Sequence, residues 1–461
     1  MSDSKLGAKV FLPEEILQEF RSNIRGEITR PGDLRHETLR RVFNAMIDRR
    51  PAVIVHCAGV SDVIQAVNFA REHGLLLSVR GGGHSVAGHA VCDGGLMLDL
   101  SGMKGIRVDL QRQIAIAQSG LTLGEFDWET HAFGLATPLG IVSVTGIAGL
   151  TLGGGLGWLN GKYGLTCDNL LSGDVVTSDG RLLTASESEN DDLFWAIRGG
   201  SGNFGVVTSF TYRLHPCDVV LGGPIIYPLA SASDVLSLFH EVVNACPDEL
   251  STAALLTSGP DGQLVAAVVT CWCGPIEAGK EVLRPLRSFG QPLQDAVQPM
   301  PYRSLQRMFD GAFPPNRRHY WKAGFLKDLS AETIDVMLRF AAERPSPATA
   351  IGLQQMHGAA ARVHRAATAF PHRENQYDLL ILSQWEDPTD TARNIEWTKS
   401  FFETMRPFLD RGVYVNDLGQ EGEERVKAAY GGNYDRLAKI KAKYDPDNLF
   451  RVNQNIVPAK E

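Results

Sequence analysis

Along residues 52–79 the apolar positions change their period twice. A continuous apolar run at 52–55 gives way to Val63, Ile64, Val67 and Ala70, the spacing of one helix face, and after Gly74 a second apolar run follows at 75–79. With Ser61 as the N-cap, this predicts a strand, a helix and a strand. Hairpins are predicted for 106–108 with 114–117, and for 175–177 with 182–184 across Ser178-Asp179-Gly180. Residues 192–197 read as helix and 206–212 as strand. Beyond Pro216 the glycine density falls, and strand-like runs at 265–270 and 379–384 alternate with amphipathic helical runs at 233–245, 331–343 and 391–405. Near the end, 413–417 alternates like a strand, placing Tyr414 and Asn416 on one face and Asp417 on the other, and 426–444 reads as helix. The pattern predicts an α+β fold in three parts, 1–216, 217–412 and 413–461.

Composition narrows the function. The 461 residues are 44% hydrophobic and 21% charged, the balance of a chain with a sizeable core and not of a disordered one. Lys and Arg number 45 against 53 Asp and Glu, a net charge of −8, so there is no basic excess to collect the phosphates of a nucleic acid. Residues 1–20 mix Lys5, Lys9, Glu14, Glu15 and Glu19 with apolar positions at helical spacing, unlike the apolar core of a signal peptide, which points to a cytoplasmic protein. Seven cysteines, with Cys271 and Cys273 the one close pair, indicate neither a disulfide framework nor a zinc site. The stretch 132–161 carries no charge and could span a bilayer by length. Nine of its residues are glycine, each costing about 1 kcal/mol against alanine in a helix, and Pro138 breaks it again. It reads instead as backbone that must approach something closely.

What it approaches is indicated by the glycine clusters. Five residues separate Gly155 from Gly161-Lys162, one more than a Walker A loop has, and Tyr163 follows where Ser or Thr is needed, which disfavours an NTPase. Gly200-Ser201-Gly202-Asn203-Phe204-Gly205 matches the dinucleotide fingerprint in letters, but it follows a helix and opens a strand, the reverse of the nicotinamide-binding order. Arg80-Gly81-Gly82-Gly83-His84-Ser85 leaves a strand, where free amides form an anion-binding nest. A long anionic ligand held by several loops accounts for all three.

Six ordered motifs resemble one family. They are the Arg80-to-Ser85 loop, Thr145-Gly146-x-x-Gly149 with Gly153-Gly-Gly155-x-Gly157, Tyr163-Gly-Leu-Thr-Cys-Asp168-Asn169, Trp195-x-x-Arg-Gly-Gly-x-Gly202-Asn203-Phe-Gly205, Tyr414-Val-Asn416, and Tyr444-Asp-Pro-x-Asn-Leu-Phe-x-x-Asn453-Gln-Asn455. Together they resemble the berberine-bridge-enzyme-like FAD-linked oxidases of the vanillyl-alcohol oxidase / p-cresol methylhydroxylase (PCMH-type) flavoprotein superfamily. The resemblance implies a two-part PCMH-type FAD-binding domain at 1–216, with its core at about 47–216. It also implies a central substrate domain at 217–412, an antiparallel sheet covered by helices, and a C-terminal segment at 413–461 returning to the FAD domain. FAD would be held by these motif residues together with Leu150 and Val207, and covalently through His84 alone, because the cysteine that carries a second tether in many relatives falls at Val142. Cys167, within the Asp168 motif, reads as a small buried residue.

The implied reaction passes a hydride from an alcohol, hemiacetal or amine carbon of a small molecule to the flavin, with O2 as acceptor and peroxide as product. Tyr414 is the candidate base, and an ordinary tyrosine, with a pKa near 10, must be perturbed to serve. Tyr320, Trp321, Gln355, His357 and Gln384 are candidate substrate contacts. No acid falls within 351–373, and Asp417 is expected on the strand face away from Tyr414. Two other readings are an oxygenating or multistep flavoenzyme, with Thr145 and Leu150 beside the flavin, and a flavin-binding protein without turnover.

Overall fold

The computed structural model describes residues 12–259 and 261–460. The charge-mixed start of the chain, 1–11, lies outside the described residues. A four-stranded sheet is built in the order Glu27–Thr29, Val53–His56, Leu96–Asp99 and Leu77–Arg80, the last three parallel. The helix Val60–Glu72 crosses between them and buries Val63, Ala66, Val67 and Ala70 against the sheet. This helix begins before Ser61. Gly59 is the N-cap, and the Asp62 carboxylate accepts from the backbone N–H groups of Ala58 (2.7 Å) and Arg25 (2.8 Å), which fixes the entry of the chain more firmly than a serine hydroxyl could.

A second sheet is antiparallel, in the order Ile106–Asp109, Ile114–Gln118, Val206–Arg213, Leu170–Val176 and Leu182–Ser186. Both predicted hairpins are in it. Helix Asp191–Ile197 precedes the Gly200 loop and strand Val206–Arg213 follows it, the helix-then-strand order that speaks against a nicotinamide site. The uncharged stretch folds as loops around a two-residue strand, Leu135–Ala136, paired with His215–Pro216, and two short helices, Ile147–Gly153 and Asn160–Tyr163; among the described residues no helix is long and apolar enough to cross a membrane.

The largest sheet runs Gln294–Asp295, Val219–Pro228, Leu264–Trp272, Leu250–Ser258, Ala350–Met356, Gln376–Trp385 and Arg318–Leu326, with Gln298–Pro301 also paired to Val219–Pro228. Its neighbours are antiparallel throughout. Helices Ala232–Asn244, Ile276–Arg287, Ala331–Ala342 and Thr391–Met405 cover one face, where Phe239, Met337 and Phe401 pack on Leu353, Leu379 and Ile381. The other face, with Trp321, Ala323, Met356, Leu380 and Leu382, shares a core with Leu152, Leu156, Tyr414 and Val415. With both faces covered, all ten residues of Gln376–Trp385 are buried, which is why this segment reads as a nearly continuous apolar run.

The predicted helix at 426–444 is two helices, Glu423–Tyr430 and Tyr434–Tyr444, separated at Gly431, which takes a left-handed φ of 47°. The second helix ties the chain end to the Gly200 loop. Lys441 and Asp445 are both fully buried and paired at 2.6 Å; the ammonium also donates to the carbonyls of Asn203 (2.7 Å) and Phe450 (2.9 Å), and the carboxylate accepts from the N–H groups of Leu449 and Phe450. Replacing Lys441 by Met leaves a buried carboxylate without its partner, and we expect a loss of about 3–5 kcal/mol. Urea unfolding of Lys441→Met beside the wild type checks this; an unchanged midpoint would show that the pair is neutral to stability.

Candidate functional site

One elongated cavity of about 310 Å³ lies between the glycine loops and the uncovered face of the large sheet. Its first end is made by the chain leaving strand Leu77–Arg80. Gly81, Gly82, Gly83, His84 and Ser85 line it, and so do Val142, Thr145, Gly146, Gly149 and Leu150 from the facing loop. These loops meet backbone to backbone: a Cβ on Gly82 would stand 2.4 Å from the Gly146 nitrogen, and one on Gly146 equally close to that of Gly82. No other residue fits either position. Gly202, Gly205, Val207, Asn453 and Gln454 continue the wall. Around Gly149 and Gly202 a Cβ would meet nothing within 4 Å, since both border open space.

His84 is held in one orientation at this wall. Its ring stacks on Phe43 at 4.0 Å, and Phe43 stacks on His319 at 4.2 Å. Burial lowers the His84 pKa to about 4, so the imidazole is neutral, and its buried Nε2 has no hydrogen-bond partner. The Asn453 Oδ1 is likewise buried and unpartnered, while its amide donates to the Gly202 carbonyl at 3.1 Å. This end of the cavity, free of charged side chains and edged by close-set backbone and by two orphaned polar atoms, fits a long anionic cofactor such as FAD.

Other motif residues frame the cavity without lining it. Arg80 sits beside Asp99 at 3.7 Å. Gly153 is crowded by Asn416, and Gly157 by the carbonyl of Leu139. Gly155 donates its N–H to the Tyr414 hydroxyl. Asp168 takes a bidentate ion pair from Arg373 at 2.7 Å and caps Leu165, and Cys167 is buried beside them. The Asn169 Oδ1 accepts from the His215 Nε2–H at 2.7 Å, and its amide donates to the Tyr163 carbonyl. Asn203 is a clamp: its Oδ1 accepts from the Ile456 N–H and its amide donates to the Gly200 and Gln454 carbonyls. The Asn455 Oδ1 is buried without a partner.

The far end of the cavity differs from the sequence expectation. Residues 413–417 are not a strand: Val415–Asp417 is a short 3₁₀ turn, closed by the Asp417 N–H donating to the Tyr414 carbonyl at 3.1 Å. Asn416 holds the turn by donating to the Leu150 carbonyl and to the Tyr414 hydroxyl. Tyr414, Asn416 and Asp417 therefore all line the same cavity. The Tyr414 hydroxyl accepts from Gly155 N–H at 2.8 Å and from Asn416 at 2.7 Å, so it is left to donate its own proton. Burial, reinforced by nearby Asp417, raises its pKa, and outweighs the two donated hydrogen bonds that favour the anion. A phenolate base is thereby disfavoured at this position.

Of the predicted substrate contacts, Trp321 lines the cavity and four do not. Gln355 lies on the helix-covered face, donating to the Val243 carbonyl at 2.7 Å and accepting from Thr252. His357 bonds the Leu250 carbonyl at 2.7 Å through Nε2. Tyr320 alternates with Trp321 on its strand and is absent from the lining, and Gln384 accepts from Arg317. Strand alternation explains the exchange: Gln354, one residue before Gln355, faces the cavity, and in register with it stands Asp378. Asp378, Leu380 and Leu382 share this face, so an acid does reach the site, five positions beyond 351–373. The signal was a single carboxylate in an otherwise apolar run at 377–382.

Fold and cavity together define an FAD-linked oxidoreductase of the PCMH type. The FAD binding domain family matches residues 51–186, and the berberine and berberine-like family matches 413–457. An FAD-linked oxidoreductase of Dictyostelium discoideum is 34% identical over 99% of each chain. The chain belongs to the berberine-bridge-like FAD-linked oxidoreductases. Among solved structures, 6-hydroxy-D-nicotine oxidase from Arthrobacter nicotinovorans superposes with a TM-score of 0.87 at 27% identity, covering 95% of this chain and 98% of that one. Xylooligosaccharide oxidase from Myceliophthora thermophila, in complex with xylobiose, gives 0.84 at 25%, covering 98% and 100%.

Tyr414→Phe keeps the ring but leaves the Gly155 N–H buried without an acceptor. We expect a stability loss of about 1–3 kcal/mol, measured by urea unfolding of the flavin-loaded protein. An unchanged midpoint would show that the Gly155 bond contributes nothing.

Proposed function

We propose that this protein is an oxidase that takes a hydride from an alcohol, hemiacetal or amine carbon of a small molecule and passes the electrons to O2, with its flavin attached once, through His84. Two structural neighbours are named for oxidation of a nicotine derivative and of a xylooligosaccharide, which supports an oxidase while leaving the substrate class between an amine and a sugar. The observation that carries the reading is the continuity of the cavity from the bare Nε2 of His84 to the polar end at Tyr414 and Gln354.

When bound, FAD supplies the hydride acceptor and the site of reaction with O2. The protein's own residues bind and orient. The 81–85 and 145–150 loops line the channel, where their N–H dipoles would neutralise a diphosphate. The His84 imidazole, neutral and fixed by Phe43, presents a free ring nitrogen suited to bonding the flavin 8-methyl carbon. Val142, on the facing loop, has no nucleophile, so a second tether has no donor there. Tyr414 donates a hydrogen bond into the substrate end, and Trp321 with Leu380 and Leu382 walls it from water.

His84→Ala is expected to keep FAD but to release it on denaturation, because the glycine loops are untouched, whereas denatured wild type stays yellow. A denatured variant that stays yellow would move the bond elsewhere. With ¹⁸O2 as acceptor, the label should appear in peroxide and not in the organic product; its incorporation into product would make the protein an oxygenating enzyme.

A further inference from the structure

The substrate end of the cavity holds two carboxyl groups and nothing to neutralise them. Asp378, 1% exposed, comes from the buried strand Gln376–Trp385, and Asp417 from the turn after Tyr414; their carboxyls lie within hydrogen-bond reach of each other. The Asp378 Oδ1 and the Asp417 Oδ2 are buried with no partner. Both residues line the cavity, and no Lys or Arg does among the described residues. The surrounding elements supply no counter-charge. Lys322 on the neighbouring strand and Arg425 on the following helix are both paired with Glu421. Strand Ala350–Met356 presents Gln354, and Tyr414 is the other titratable group at this end. His84 and His89, at the flavin end, are neutral because burial lowers each to about 4.

We propose that the Asp378–Asp417 pair is a cation subsite, which makes an amine that arrives protonated the substrate class of this oxidase; its ammonium proton passes to the charged carboxylate of the pair before a hydride leaves the adjacent carbon. The inference rests on the reading of the cavity as a flavin site with a substrate end. Two carboxyls this close, out of water, share one proton and retain one negative charge. Burial raises both, and Asp417 raises Asp378 further, whereas the hydrogen bond from Asp378 favours the ionised form of Asp417, so the charge rests on Asp417. A buried charge without a partner is costly. An ammonium group of a substrate seated between the aspartates and the flavin end removes that cost and gains a charge-assisted hydrogen bond to the pair where it lines the cavity. An alcohol or hemiacetal offers no such neutralisation, and an anionic substrate is repelled. Proton uptake by the pair cancels its charge, so amine affinity should fall as pH drops, beginning above the ordinary carboxylate range near 4 because both groups are raised.

The test is a binding titration of the FAD-loaded protein, read by perturbation of the flavin absorbance. Benzylamine and pyrrolidine are compared with benzyl alcohol and cyclopentanol, neutral molecules of matching size. At pH 7.5 the amines should bind at least about tenfold more tightly than the alcohols, the scale of a hydrogen bond to a charged group. Lowering the pH to 5 should weaken amine binding and leave alcohol binding alone. Asp417→Asn should cost the amines about tenfold or more with little effect on the alcohols, flavin content serving as the check on folding. Should that variant not fold, the pH dependence of the wild type decides. Equal affinity for amines and alcohols, no saturable amine effect, or an amine affinity indifferent to pH overturns the subsite. Failure of the protein to hold flavin at all defeats the underlying reading as well, and the two failures are distinguished by the yellow colour of the loaded protein.

Discussion

The near-contact of two backbones, Gly82 against Gly146, sets the shape of the site. With nitrogens 2.4 Å from where a side chain would begin, the loop leaving the parallel sheet and the loop entering helix Ile147–Gly153 can close together only as glycine. Their closure brings backbone to the wall of the channel and presents His84 at its edge. The loops carry no charge of their own, so the polarity offered to a ligand is that of peptide dipoles, which suits a diphosphate and costs no counter-ion.

The opposite wall obeys a different rule. The large sheet is buried on both faces, with helices on one side and the cavity on the other, and alternation along each strand decides which partner a side chain meets. Tyr377, Leu379 and Ile381 go to the helices; Asp378, Leu380 and Leu382 go to the cavity. A carboxylate in such a strand has no structural reason to be there, since a leucine would pack at lower cost. Its position over the cavity, facing a second carboxylate from a separate segment, supplies a functional reason.

The segment after residue 413 joins these walls. It passes beneath the sheet as a turn, anchored by Asn416 to Leu150 and by Tyr414 to Gly155, and its two helices then return to clamp the Gly200 loop through Lys441. Glycine loops, sheet face and turn are thus locked by hydrogen bonds between residues more than two hundred positions apart, and a rigid substrate end follows from that cross-linking.

Much of this was legible from the chain alone, and for local reasons. Periodicity located the helices Asp191–Ile197, Ala331–Ala342 and Thr391–Met405 because each has a face that must be buried, and glycine spacing located the loops because few residues tolerate such close backbone. The motif residues of the first cavity end were readable for the same reason. Where the reading stopped, the deciding interaction was distant in sequence. Residues 413–417 alternate like a strand but have no edge to pair with, and bonds to Leu150 and Gly155 made them a turn. Gln355 and His357 were chosen by spacing, yet spacing says only that two side chains agree, not which side of the sheet carries the helices. The sequence by itself determined most of the elements and the glycine loops through local sterics, and its ordered motifs, by resemblance to a family, the cofactor class. The tertiary structure alone decided that Asp378 and Asp417 meet, because a carboxyl pair is made by packing and not by proximity along the chain.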